Sequence, residues 1–127
     1  MSIASEKSLY ERLGGYDGLA AATDELLQRV TSDPDIGFYW RGHSTDSMKR
    51  DRQLIVDFLC EATGGPVIYR GRDMKTSHAG LNITEREWEI FITHIVATLD
   101  HFQVPEQEKE EFIACANSLK DEIVEKP

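Results

Sequence analysis

Apolar residues recur at intervals of three and four along nearly the whole chain, which is the spacing of one face of a helix. The alternation of apolar and polar residues that is typical of half-buried strands is scarce. The chain also contains no internal repeat and no low-complexity run. This pattern predicts an all-α domain.

Capping and stop signals delimit the first two predicted helices. Ser8 and Glu11 have capping-box spacing, and Gly14-Gly15 stops a short first helix at Leu13. Asp17 is the expected cap of the second helix. That helix ends near Asp33-Pro34, because the residue before a proline leaves the helical region.

The middle of the chain is less regular. Three adjacent aromatic residues, 38–40, lie in a glycine-containing segment and need a large apolar partner. A third helix is predicted over 46–63, and Gly64-Gly65-Pro66 ends it. The connection over 67–83 has room for one helical turn at about 75–79. Connections of this length in a compact domain are usually functional.

Two further signals open the last predicted helices. Thr84 and Glu87 form a second capping box, which starts a helix that runs to about Phe102. Pro105, followed by acidic residues, opens a final helix that runs through Ile123.

Length and charge narrow the class of protein. A chain of 127 residues is expected to form one domain over 1–127, with a flexible N-terminus over 1–7. Its formal net charge of -9 repels phosphate backbones and anionic lipid, so we expect neither a nucleic-acid nor a membrane partner. Cys60 and Cys115 fit two buried free thiols. With no apolar signal segment, these features predict a cytoplasmic protein.

The four histidines are the candidate metal ligands, since the chain contains no CxxC, HExxH, GxSxG or phosphate-loop pattern. His94 and His101 fall off the apolar face of their helix, and we expect both to be solvated. His78 follows two cations and a methionine, and has no carboxylate or second histidine at ligand spacing. A lone histidine suits a cofactor that needs only one axial bond, as haem does. The alternative is an exposed loop histidine.

Asp51 is the unusual residue on the apolar face of the third predicted helix. One interpretation is a first-turn acid that favours the helix N-terminus and reaches solvent. The other is a gate over a pocket below Ile55. Gln53 lies almost opposite this face.

Three stretches together resemble the first group of truncated haemoglobins. They are Ser8-Leu-Tyr-Glu-Arg-Leu-Gly-Gly15, the run from Gly64-Gly-Pro to His78-Ala-Gly80, and Ile83-Thr84. The resemblance covers nearly the whole chain, and its double glycines stand in order ahead of a single histidine. It implies a two-over-two helical sandwich, in which the second and third helices cross the last two around a haem b.

The resemblance also implies roles for individual residues. His78 matches the proximal ligand of the haem iron. Tyr69, Arg72 and Lys75 match positions that help to anchor the propionates, and Met74 matches a position that packs on the haem. Much of the remaining wall would come from apolar and aromatic residues, each with ordinary core as the alternative: Leu26, Leu27, Tyr39, Trp40, Ile55, Phe58, Leu59, Ile83, Trp88, Phe91, Ile95 and Leu99.

The departures from the family pattern lie on the distal side. Relatives usually carry a tyrosine donor in the second helix, where this chain has Leu27, and a common glutamine donor aligns with Ile55 rather than with Gln53. A short insertion after Trp40 leaves the placement of His43 open. Either Tyr39 or His43 can restore a donor, and His43 can also bind iron as a sixth ligand. The distal candidates are Leu27, Asp51, Ile55, Tyr39 and His43.

The leading hypothesis is a haem globin that reversibly binds dioxygen, carbon monoxide and nitric oxide at ferrous iron. Loss of one donor hydrogen bond costs about 1–3 kcal/mol of dioxygen stabilisation, which predicts fast release. Simple ligand binding, as in oxygen transport, is favoured over nitric oxide dioxygenation, which needs a stable oxy complex and a reductant, and gas or redox sensing is a further alternative. The hypothesis from another class is a cofactor-free helical interaction domain, with residues 38–40 as its partner-binding patch.

Overall fold

The computed structural model describes residues 7–126, so the flexible N-terminus expected over 1–7 lies outside the described residues except for Lys7. Within 7–126 the only strand-like pairing is an isolated bridge between Thr84 and Lys126, and the all-helical prediction is confirmed. The helices are α1 (Leu9–Arg12), α2 (Gly15–Thr31), a 3-10 helix (Gly37–Trp40), α3 (Thr45–Ala62), α4 (Met74–His78), α5 (Glu85–His101), α6 (Glu106–Asn117) and α7 (Lys120–Ile123).

Both predicted capping boxes form. The Ser8 hydroxyl accepts from the Glu11 N–H at 3.2 Å and caps α1, and the Thr84 hydroxyl accepts from the Glu87 N–H at 3.1 Å and caps α5. In each box the glutamate also accepts from the backbone N–H of the capping residue. The starts of α1 and α5 are therefore determined locally.

Two boundary predictions are wrong. Gly14, with φ of 96°, precedes the first turn of α2, and Asp17 lies inside that turn without capping it. The final helix is not continuous, because α6 ends at Asn117 and α7 begins at Lys120. At this break the Ser118 hydroxyl donates to the Cys115 carbonyl.

The long helices pack in two pairs. α2 contacts α3 and α5, and α5 contacts α6, which confirms the two-over-two arrangement. The Arg12 guanidinium binds both carboxylate oxygens of Glu111, at 2.7 and 2.8 Å, and fastens α1 to α6. The buried core joins these elements through Leu19, Ala20, Val56, Cys60, Ile95, Leu99 and Phe112.

The expected solvation of the α5 histidines is confirmed for one and wrong for the other. The His101 side chain is exposed. His94 is half-buried, and its Nε2 lies 2.7 Å from Asp33 Oδ2. The helical wheel places residues on one helix only, and Asp33 comes from the turn after α2. This contact joins the end of α2 to α5.

The two cysteines differ in burial. Both are free thiols, but only Cys60 is buried, whereas Cys115 is half-buried against the expectation for it. Burial raises the pKa of both thiols. Within residues 7–126, no helix combines the length and apolar character required to cross a membrane.

Candidate haem-binding site

His78 is the last residue of α4, a helix of 5 residues. The Asp73 carboxylate caps this helix by accepting from the Thr76 N–H at 3.3 Å. Hydrogen bonds to Thr76 are the largest cause of the lowered pKa of Asp73. The short turn predicted around His78 is thus present, shifted by one residue toward the N-terminus.

The His78 ring is oriented through its Nδ1 atom. This nitrogen lies 2.8 Å from the Met74 carbonyl and 2.9 Å from Ser77 Oγ, and the Ser77 hydroxyl itself donates to the same carbonyl at 3.2 Å. A carbonyl can only accept, so Nδ1 carries the proton. In the neutral ring the lone pair is then on Nε2, which makes no hydrogen bond within residues 7–126. Such a backbone contact orients a metal-ligating histidine and increases its basicity.

The connection ahead of α4 is tied to the end of α3. The Tyr69 N–H donates to the Glu61 carboxylate, and the Tyr69 hydroxyl donates to the Arg72 carbonyl at 2.6 Å. The Tyr69 ring packs edge-on against Phe58, with ring centroids 5.2 Å apart. Burial raises the pKa of the Tyr69 hydroxyl. These contacts bring two of the predicted haem-binding residues together.

The predicted propionate anchors present their charges to solvent. Arg72 and Lys75 are exposed, on either side of the start of α4. Neither forms an ion pair with another residue of the described part of the chain. Both cations are therefore available to an anionic group that approaches the face carrying His78.

The predicted wall residues fall into two groups: those that belong to the buried core or pack against it, and those that are half-buried away from it. Ile95 and Leu99 belong to the buried core. Trp88 is also buried, and its indole N–H donates to the Asn117 side chain on α6 at 3.2 Å. Three more pack against the core from its edge: Leu26, Leu59 and Phe91. The others are half-buried: Leu27, Tyr39, Trp40, Ile55, Phe58, Met74 and Ile83.

A cavity of about 370 Å³ adjoins the first of these groups. It lies between α1, α2 and the corner that joins α5 to α6. Four predicted wall residues contribute to its lining, namely Leu26, Leu59, Ile95 and Leu99. Four side chains of the predicted wall thus border this cavity, but His78, Met74 and Tyr69 are not among the residues that line it.

Tyr39 donates its hydroxyl to Glu87 Oε1 at 2.8 Å. The pKa of Tyr39 is raised to about 12, first by burial and second by this hydrogen bond. Burial also acts to raise the pKa of Glu87. The hydrogen bonds from Thr84 and Tyr39 outweigh it, and the net pKa of Glu87 is lowered. The Tyr39 proton is therefore directed to the α5 capping box.

The other polar distal candidates also have partners. His43 Nδ1 lies 3.1 Å from Asp51 Oδ2, a contact that links the segment before α3 to that helix. Asp51 lies beyond the first turn of α3, and its side chain is partly exposed. The Gln53 amide donates to Tyr16 and to Asp57, both at 2.9 Å.

The comparisons with known proteins decide the family. The family model described as "Bacterial-like globin" matches residues 8–125. A group 1 truncated haemoglobin of Chlamydomonas moewusii is 30% identical over 122 residues, which cover 94% of this chain and 70% of the relative. The chain belongs to the group 1 truncated globins.

Two other truncated globins support the same family assignment. Group 1 truncated haemoglobin GlbN of Mycolicibacterium paratuberculosis is 28% identical, covering 94% of this chain and 86% of the relative. The crystal structure of truncated haemoglobin from Tetrahymena pyriformis in its Fe(III) form superposes with a TM-score of 0.86 at 25% identity, covering 93% of this chain and 98% of that one. This truncated globin is a haem protein that binds diatomic gases, which sets aside the cofactor-free interaction domain.

The residues fit a haem. A single imidazole offers one lone pair, two exposed cations precede it in sequence, and the Tyr69 ring ahead of α4 packs on Phe58 of α3. Among residues 7–126, no group of three or more His, Cys, Asp and Glu side chains is placed to hold a metal ion by itself. Sequence reasoning missed Glu87 and Glu125, which bind groups of the site. The capping-box motif signalled the first, and no local motif signalled the second.

Proposed function

We propose that this truncated globin binds haem b through His78 and reversibly binds dioxygen with fast release. The observation that carries this proposal is the bond from His78 Nδ1 to the Met74 carbonyl, because it leaves Nε2 available as the one axial donor. When bound, the haem supplies a ferrous iron that takes a diatomic gas.

The chain's residues would divide the work of holding the cofactor. Arg72 and Lys75 would pair with the propionates, and Tyr69 fixes the backbone between α3 and α4 through the Arg72 carbonyl. Met74 would pack on the haem, and its carbonyl orients His78. The half-buried wall residues of α2, α3 and the 3-10 helix exclude water from the pocket.

The proposed fast release follows from where the polar side chains point. Leu27 and Ile55 cannot donate. Tyr39 donates to Glu87, His43 contacts Asp51, and the Gln53 amide binds Tyr16 and Asp57. A ligand that draws negative charge therefore meets an apolar pocket and is not retained by a hydrogen bond.

Three further features belong to the proposal. A type b haem fits because Cys60 and Cys115 do not form the Cys-x-x-Cys-His pattern of covalent attachment. Free thiols support a cytoplasmic location. The chain would act as one domain over 1–127, reduced by a separate reductase.

A haem titration of the wild type, His78→Ala and His101→Ala tests the proposal. The wild type should give a stoichiometric Soret band that shifts with carbon monoxide after reduction. His78→Ala should lose the normal axial coordination. His101→Ala is the matched control, because its side chain is exposed, and should behave as wild type.

Two results would overturn the proposal. No specific haem uptake by the wild type would remove its basis, and an unaltered spectrum of His78→Ala would show that another residue supplies the axial bond.

A five-coordinate ferrous spectrum without added ligand would exclude His43 as a sixth ligand.

A further inference from the structure

Glu125 binds the turn that follows His78. Its Oε2 accepts from the Gly80 N–H at 3.1 Å and its Oε1 accepts from the Asn82 N–H at 2.8 Å. One carboxylate thus bridges two backbone donors of a turn that lies more than forty residues away in sequence. These two bonds are the largest causes of the lowered pKa of Glu125.

The turn has an unusual backbone. Gly80 has φ of 84° and Asn82 has φ of 57°, both in the left-handed region. Glycine adopts such values readily and asparagine tolerates them, but neither prefers them to the other regions. A conformation of this kind persists when outside contacts hold it.

The hydrophobic core does not supply those contacts. α4 contains no buried residue, and Leu81 is exposed over 45% of its surface. A helix of 5 residues is not stable by itself. α4 packs against α7, and the residues after α7 pair with the turn through N–H groups of Glu125 and Lys126 that donate to the Ile83 carbonyl at 2.9 and 3.1 Å.

The turn is bonded directly to His78. The Leu81 N–H donates to the His78 carbonyl at 3.3 Å, between the two N–H groups that Glu125 binds. A displacement of the turn therefore displaces the end of α4 on which the imidazole is mounted. We propose that Glu125 is a positioning residue for His78: it clamps the following turn and so fixes the orientation in which the imidazole would meet the haem iron. This inference rests on the proposed role of His78.

The experiment compares Glu125→Gln and Glu125→Ala with Glu122→Gln in the haem-loaded protein. A glutamine has the shape of glutamate but only one oxygen acceptor, so one of the two N–H groups loses its partner. Glu122 is the matched control: it is an exposed acid of α7 whose side chain makes no hydrogen bond or ion pair within residues 7–126.

Two readouts separate positioning from a merely structural role. Hydrogen exchange at Gly80 and Asn82 should accelerate by about tenfold in Glu125→Gln and further in Glu125→Ala, while exchange in α2 and α3 stays at the wild-type rate. The iron–histidine stretching frequency of the reduced protein, measured by resonance Raman scattering, should shift in the same order. Glu122→Gln should match wild type in both.

Two outcomes would overturn the inference. Unchanged exchange in Glu125→Gln would show that the carboxylate does not hold the turn. Faster exchange with an unshifted iron–histidine frequency would show that the clamp does not reach the imidazole. Failure of the proposed function is detected by a different variant. If His78 is not the axial ligand, His78→Ala keeps the wild-type coordination spectrum, whatever residue occupies position 125.

Discussion

Replacing Leu27 by tyrosine should slow dioxygen release by restoring the donor that this chain lacks. Leu27 is half-buried on α2, and its matched control is Leu27→Phe, which brings the same ring without the hydroxyl. Overpacking by the ring affects both variants alike. The difference between them therefore isolates one hydrogen bond.

The magnitude follows from the partners of the other candidate donors. Tyr39 is bonded to Glu87 and His43 contacts Asp51, so the new hydroxyl would be the one donor in the pocket rather than a second. Such a bond to a partly charged ligand stabilises it by about 1–3 kcal/mol. Since 1.4 kcal/mol is a factor of ten, the dioxygen off-rate should fall about 5- to 150-fold relative to Leu27→Phe.

Stopped-flow displacement of dioxygen measures these rates, with carbon monoxide release as an internal reference. Carbon monoxide draws much less negative charge, so its off-rate should differ little between the two variants. Equal dioxygen off-rates in Leu27→Tyr and Leu27→Phe would refute the reasoning. A wild-type rate already as slow as that of Leu27→Tyr would also refute it, because another residue would then be donating.

Three further predictions concern pH and stability. The contribution of Tyr39 to the free energy of unfolding should be complete below about pH 10 and lost as pH rises through about 12. An ultraviolet difference titration against Tyr39→Phe measures this pKa, and a transition at the ordinary value would contradict the prediction. The hydrogen bond with His94 is the main cause that lowers the pKa of Asp33, so Asp33→Asn should reduce stability above about pH 4, and the two proteins should converge as pH falls through the folded-state pKa. Equal urea midpoints at neutral pH would refute that. Val56→Ala removes two fully buried methyl groups and should cost about 2 kcal/mol, or about 8 °C in the calorimetric Tm; a shift below about 2 °C would mean that the site collapses around the smaller side chain.

Helix boundaries that depend on neighbouring residues could be predicted from the sequence. The capping boxes at Ser8 and Thr84 and the end of α3 are of this kind, because capping residues act within one turn of themselves. Asp17 failed as a cap because the left-handed Gly14 lets the helix begin before it. The last helix was wrongly predicted as continuous because residues 118–119 include no glycine or proline that would mark the break between α6 and α7.

Contacts between distant segments could not be predicted from periodicity. His94 has the wheel position of a solvated residue, and only the packing of α5 beside the turn after α2 gives it Asp33 as a partner. The position of His78 in a short helix was predicted, but its ring orientation depends on the fold of that turn. Nothing near Glu125 in the sequence points to Gly80.

The separation of His78 from residues 120–126 imposes an order on biosynthesis. The ribosome completes α2, α3 and α4 before it makes α7, so a nascent chain presents His78 while its turn is still unsupported. The bonds from Glu125 and Lys126 form only once the last part of the described chain has emerged. The backbone contacts that support His78 are therefore complete only after residues 120–126 have been made.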